Sequence, residues 1–174
     1  ANQHELQKHF DRLETLAELG QEITGTLDID DLMENIYSKV TELMPAEVFA
    51  IGFYNEQRDV LTFPLIIEKE ERFKNTDYDL KDEKRFAVQC YNKKQEIIIN
   101  KLDDFYKYTD EIQTPVKGET TESILYLPLS SKGSCNGVIT VQSFSENAYS
   151  VHQINMLRTL ATSVSIAVEN AVTY

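Results

Sequence analysis

Helical periodicity at both ends of this chain encloses strand periodicity in its middle, and that order restricts the fold more than any other feature. Near the C-terminus, Ser150 and Gln153 stand at the spacing of a capping box, with Tyr149 and Ile154 at the positions of a hydrophobic staple. From there Ile154, Leu157, Ala161, Val164, Val168 and Ala171 form a seam at coiled-coil intervals, thickened by Leu160 and Ala167. At the other end, residues 3–25 read as a helix in which Leu6, Leu13, Leu16 and Ile23 make one seam and Phe10 and Ala17 a second line. A further helix starts near Asp28, whose carboxylate suits an N-cap. Leu27 and Leu32 sit at staple positions, Leu32, Met33, Ile36, Val40, Leu43 and Met44 make the buried face, and Pro45 marks the end.

The middle of the chain reads as short strands. Residues 46–54 are rich in β-formers, Asn55–Asp59 is a polar turn, and Val60–Ile67 returns as a second strand. Pro64 argues that this strand lies at a sheet edge, because proline cannot donate to a ladder. Residues 68–80 are charged and read as loop. Asp82 is the expected cap of a helix reaching about Lys94, with Phe86, Ala87, Cys90 and Tyr91 facing inward. Ile97–Ile99 is a short strand, and residues 101–122 show no period. Ser123–Ser131 and Gly137–Ser145 read as two more strands, with Lys132–Gly137 as the turn between them. A mixed α/β (α+β) domain follows, a central antiparallel sheet with terminal helices on one face.

Charge and cysteine content narrow the function. The net charge of −12 has the wrong sign for neutralising phosphates, so nucleic acid and anionic membrane surfaces are not expected partners. No stretch reaches the roughly 18 apolar residues of a bilayer span. The chain reads as one domain over residues 1–174, a piece of a larger cytoplasmic protein. Cys90 and Cys135 have neither metal nor CxxC spacing and read as reduced thiols.

Four segments carry a resemblance to a known family. They are Thr26–Leu32, Ser123–Leu129 (Ser-Ile-Leu-Tyr-Leu-Pro-Leu), Gly137–Ser143 (Gly-Val-Ile-Thr-Val-Gln-Ser) and Ile166–Ala171. In this order and spacing they resemble a GAF domain over nearly the whole chain. The resemblance implies a five- or six-stranded antiparallel sheet, with the first, second and last helices on one face. It implies a pocket on the other face, covered by the third helix and the irregular segment. It also implies a regulatory role, as in sensor histidine kinases, diguanylate cyclases, phosphodiesterases and transcriptional activators. It names no ligand.

Each ligand known for the family has to be tested on these residues. The cyclic-nucleotide signature of phosphodiesterase GAF domains falls on Gln142–Ser143, Tyr149 and Gln153–Ile154, and every position departs from it. A look-alike at Asn100–Lys101, Tyr106 and Asp110–Glu111 lies before the last two strands, where the family does not place it. Cys90 is followed by Tyr91 rather than the His typical of bilin attachment. Haem needs an axial ligand, and His4, His9 and His152 are all on terminal helices. No cofactor or metal is therefore expected. The GAF-fold reductases of free methionine sulfoxide use pocket cysteines, for which Cys90 and Cys135 are the candidates here.

What remains is polar chemistry in apolar strands. Thr140 and Gln142 share a face by alternation, Ser123 opens the neighbouring strand, and Phe86, Cys90 and Tyr91 lie on the covering helix. These six are the candidate site for an unknown small molecule. The wide stripes predict a homodimer through the terminal helices, with Leu6, Leu13, Leu16, Leu157, Val164 and Val168 at its interface. In this reading residues 1–25 are a dimerisation helix, and residues 26–174 a core ending in a signalling helix. The expected function is a non-enzymatic small-molecule sensor of a cytoplasmic signalling protein, of the histidine kinase type. The alternatives are a thiol-dependent reductase and a ligand-free dimerisation module.

Overall fold

The structure, a computed structural model, describes residues 29–109 and 120–173, with side-chain surroundings as far as Glu169. The expected helix over residues 3–25, its residues Leu6, Leu13 and Leu16, and the cap at Asp28 lie outside the described residues. So do residues 110–119.

Among the described residues ten elements follow in order: α1 (Ile29–Leu43), β1 (Val48–Asn55), β2 (Val60–Glu68), β3 (Glu71–Asp79), α2 (Phe86–Lys93), β4 (Ile97–Ile99), α3 (Leu102–Phe105), β5 (Ser123–Ser131), β6 (Ser134–Ser143) and α4 (Val151–Thr173). The six strands form one antiparallel sheet in the order β3-β2-β1-β6-β5-β4. Its two faces bury separate cores. One holds Met33, Ile36 and Val40 of α1 and Leu157 and Val164 of α4 against Phe49, Ile51, Ile139 and Val141. The other holds Phe86, Val88 and Cys90 of α2 and Phe105 of α3 against Ala50, Ile124 and Val138. Each large apolar side chain so buried contributes roughly 1.5–3 kcal/mol, which fixes the strand faces.

Pro64 does not mark an edge. β2 lies between β1 and β3, and the proline sits where the β1–β2 register shifts, with Phe63–Leu65 opposite Ile51–Gly52. A bulge leaves one residue out of the ladder, so the missing N–H costs nothing there. The same bulge moves the buried side chains from one face to the other. Leu61 and Phe63 enter the α2-side core, whereas Leu65 and Ile67 enter the α1-side core.

The edge on this side is β3, in the region the sequence suggests is loop. Lys69 and Glu70 both adopt positive φ (50° and 68°), the geometry of a two-residue type I′ hairpin turn. The strand is charged because an edge has little to bury and is better protected by charge. Arg72 and Lys74, two residues apart on β3, reach Glu34 and Asp30, four apart on α1. The Arg72 guanidinium makes two bonds to Glu34, at 2.9 and 3.0 Å, and holds that carboxyl below its usual range.

Two further boundaries move. The turn between β5 and β6 is Lys132–Gly133, both at positive φ, so Cys135, Asn136 and Gly137 belong to β6. Asp82 does not cap α2. The N-cap is Arg85, without a side-chain cap, and Asp82 instead pairs with the Arg85 guanidinium at 3.0 Å. Lys94 closes the helix in the left-handed conformation. Its N–H reaches the Tyr91 carbonyl and that of Gln95 the Cys90 carbonyl, a Schellman motif.

The capping box of α4 forms as the sequence suggests. The Gln153 amide donates to Ser150 Oγ (3.2 Å) and the Ser150 amide to Gln153 Oε1 (2.9 Å). Tyr149 and Ile154 are both buried in the α1-side core. The seam of α4 needs correction. Leu157 and Val164 have no exposed surface, and Leu160, Ala161 and Ala167 join them in the domain's own core, with Val168 packed against it. As far as Val168, both apolar lines turn inward because the helix lies along the sheet. Outward are Asn155, Arg158, Thr159, Thr162 and Ile166. Farther along, buried Ser165 contacts Ser131 Oγ and Asn136 Oδ1 (both 3.3 Å), and Ser134 donates to Glu169 (2.8 Å).

Candidate functional site

The α2-side face of the sheet is apolar and aromatic, apart from one polar cluster. Alternation along β6 places Thr140 and Gln142 on this face, since Val138 joins its core while Ile139 and Val141 join the other. Gln142 Nε2 donates to Thr140 Oγ1 (3.1 Å) and to the Tyr126 hydroxyl (3.2 Å). Thr121 Oγ1 donates to Gln142 Oε1 (2.7 Å). Four side chains from β5, β6 and the approach to β5 thus satisfy one another around a single amide. An unpaired polar group at this depth would cost about 1–3 kcal/mol.

Of the six expected site residues, the structure brings three close to this centre. Thr140 and Gln142 build it, and Phe86 packs on the Tyr126 ring (6.3 Å between centroids) and on Phe105 (5.9 Å). Cys90 has no exposed surface. Burial pushes its thiol far up, with Cys135 and Glu96 adding to the effect. Tyr91 stacks on Tyr54 at 5.3 Å, and burial pushes its phenol up to about 12. Ser123 is taken elsewhere. It lies on the opposite phase of β5 from Ile124 and Tyr126, and its hydroxyl donates to the Ser145 carbonyl (2.6 Å) and accepts from the Ala148 amide (3.1 Å).

Thr121 and Tyr126 belong to the cluster but were not among the candidates from the sequence. Tyr126 had a signal, because the β5–β6 register sets it directly across from Thr140. Alternation within β5 places it on the face of Ile124. Thr121 precedes the strand and has no periodicity to reveal it.

The electrostatics of the centre are plain. Burial holds the Tyr126 phenol well above its usual range, and the hydrogen bonds from Thr140 and Gln142 offset only part of that. Tyr126 therefore stays a neutral phenol at physiological pH. Among the described residues the groups acting on it through space are Tyr78 and Cys90, both uncharged there. It also keeps some accessible surface. A recess of about 60 Å³ opens beside β4, away from this cluster, between Gln89, Lys93, Gln95, Ile97, Lys107 and Tyr108. Among the described residues no group of His, Cys, Asp and Glu could hold a metal ion, and no helix is long and apolar enough to cross a membrane.

A six-stranded antiparallel sheet with helices is also the fold that comparison with known proteins returns. The profile of the GAF domain matches residues 26–169. The chain belongs to the GAF domain family. As a GAF domain it is of a sensory and regulatory kind, although solved neighbours of the same fold include an enzyme. Among curated proteins it is similar to the formate hydrogenlyase transcriptional activator FhlA of Escherichia coli, at 21% identity over 94% of this chain. That match spans 24% of the relative, so this GAF domain covers about a quarter of the length of the activator. Among solved structures it resembles the free methionine-R-sulfoxide reductase of Neisseria meningitidis in complex with its substrate (TM-score 0.71, 15% identity, 95% of this chain and 93% of that one). It also resembles the GAF domain of a two-component sensor histidine kinase from Bacillus halodurans (TM-score 0.64, 16% identity, 86% and 99%).

Proposed function

We propose that this GAF domain is the small-molecule sensor of a larger cytoplasmic signalling protein, of the sensor-kinase or transcriptional-activator type. The observation that carries the reading is the amide-centred cluster of Thr121, Tyr126, Thr140 and Gln142 in an otherwise apolar face. A few convergent polar groups on an apolar wall fix the orientation of a small ligand. Among the described residues the groups acting on Tyr126 through space are uncharged, so the face suits an uncharged ligand that offers an acceptor to the phenol and a flat surface to Phe86. A phosphate or carboxylate there would lose its hydration without a compensating cation among the described groups acting on Tyr126. The expected absence of cyclic-nucleotide binding fits this, and so does a role without nucleic acid or membrane as partner.

Thiol catalysis is not part of the proposal, despite the likeness to the Neisseria reductase. A thiolate is the nucleophile, and burial disfavours it at Cys90. Dimerisation remains part of it. Because α4 gives both apolar lines to its own core, the proposed contact is the N-terminal helix together with the Ile166 side of α4.

Native mass spectrometry of the purified protein, followed by thermal-shift screening of uncharged metabolites, tests the reading. A retained adduct, or a compound that stabilises the protein but not Gln142→Leu, is the expected result. No adduct, and equal responses of both proteins to every compound, would overturn it.

A further inference from the structure

Four consecutive backbone amides lie in the connection from β6 to α4, and each finds a side chain or a carbonyl from elsewhere. Asn147 donates to the Asn100 carbonyl (2.7 Å), Ala148 to Ser123 Oγ (3.1 Å), Tyr149 to Asn100 Oδ1 (3.1 Å) and Ser150 to Gln153 Oε1 (2.9 Å). The last is the helix's own cap. The other three partners come from two residues far apart in sequence, Asn100 just before α3 and Ser123 at the start of β5. Both return a bond. Asn100 Nδ2 donates to the Tyr149 carbonyl (3.2 Å) and Ser123 Oγ to that of Ser145 (2.6 Å).

Each of these residues is also tied to the α2-side face. The Asn100 amide donates to Asp104 Oδ2 (3.0 Å), next to Phe105, which packs on Phe86. Two residues before Ser123, Thr121 holds the Gln142 amide. A parallel tie joins Glu96, ahead of β4, to Arg158 of α4 through two bonds at 2.8 and 2.7 Å. On its other side α4 is held to the end of α1, through Tyr149 OH to the Pro45 carbonyl (2.7 Å).

We propose that Asn100 and Ser123 form a two-legged latch that passes any displacement of the α3 flank or of the Thr121 flank to residues 147–149, and so to the first turn of α4. The apolar core beneath α4 cannot do this alone, because it lies on the opposite face of the sheet. Directional bonds at both legs make the connector follow the flanks. That the latch reports a ligand rests on the binding reading above. The latch itself is a property of the unliganded protein and is tested without ligand, so either idea can fail without the other.

Amide hydrogen exchange of residues 147–149 reads the latch directly. Asn100→Ala removes the two side-chain bonds to Tyr149 and should raise exchange of the Tyr149 amide about tenfold, while Asn147, still bonded to the backbone carbonyl of residue 100, and the α4 amides at 160–165 change little. Phe105→Leu loosens the α3 flank and should raise exchange at 147–149 several-fold in the natural protein. Added to Asn100→Ala it should give no further rise at the Tyr149 amide, because that amide has already lost its bond to residue 100. Ser123→Ala, which leaves core packing intact, should loosen the Ala148 amide by itself. The latch is overturned if Phe105→Leu acts only near α3, if its effect at the Tyr149 amide multiplies with that of Asn100→Ala, or if every variant raises exchange equally throughout α4.

Discussion

Gly137→Ala should be among the most damaging single substitutions in the domain, although it adds one methyl group. Gly137 lies in β6 opposite Phe53 of β1, in the pair that joins the two halves of the sheet. A Cβ built there would stand 2.1 Å from the Gly52 carbonyl oxygen and 3.2 Å from Leu129 Cδ1. Ordinary carbon–oxygen contact begins about 1 Å farther out. The obstacle is backbone, so no rotamer relieves it, and β1 and β6 must part locally. Overpacking of this kind costs about 1–3 kcal/mol. Weakening about two ladder hydrogen bonds adds about 1 kcal/mol each. The sum, about 3–5 kcal/mol, is a large share of a total of about 5–15 kcal/mol. For a domain of this size it corresponds to a fall in Tm of about 6–20 °C. Gly133→Ala is the control: its φ of 79° strains an alanine, but nothing lies within 4 Å of the new methyl, so about 1–2 kcal/mol is expected. Urea titration followed by circular dichroism measures both. If Gly137→Ala is no more destabilising than Gly133→Ala, the close approach of β1 and β6 is not as described.

Other outcomes follow from burial. Of the two thiols, Cys90 should resist an aromatic disulfide reagent in the native protein at pH 8 while Cys135 reacts, and both should react in denaturant; prompt native labelling of Cys90 would contradict its burial. Stability should fall under alkaline conditions. Cys90, Tyr91, Tyr126 and Tyr149 keep their protons in the folded state at pH values where the unfolded chain, with ordinary values of 9.0 and 10.0, has lost them. The native state then binds more protons, so stability drops as pH rises above about 9 and is unaffected below about 8. A Tm constant through pH 10.5 would refute this, and in Cys90→Ala the onset should move up toward 10. Sedimentation should give a dimer at high micromolar concentration and a monomer after removal of residues 1–25; a dimer unchanged by that deletion would clear the N-terminal helix of the role.

The sequence was most legible where local chemistry and burial agree. Ser150 and Gln153 announce a helix start by side-chain hydrogen bonds that need no tertiary partner, and Ser123–Ser131 alternates against a core on each face. It was least legible where the neighbour decides. Nothing in Glu71–Asp79 signals a strand, because its partners are β2 on one side and α1 acids that lie about forty residues earlier. Leu157 and Val164 have the spacing of a coiled-coil seam and the burial of a core helix, since one apolar stripe serves either. Thr140 and Gln142 could be read from alternation alone. Tyr126 needed the register of two strands, and Thr121 needed the fold.

The face switch in β2 has a consequence for chain length. Pro64 lies opposite Asn75, which has φ 56°, and the β2–β3 register is unbroken on both sides of them. The two residues are therefore a matched insertion, one per strand, relative to a plain hairpin paired to β1. Deleting Pro64 alone would shift half of β2 against β3 and pull Arg72 and Lys74 away from the acids of α1. Deleting Pro64 and Asn75 together would restore a regular ladder in which Leu61 and Phe63 still face α2 and Leu65 and Ile67 still face α1. In relatives of this domain, gains and losses at these two positions should accordingly travel as a pair.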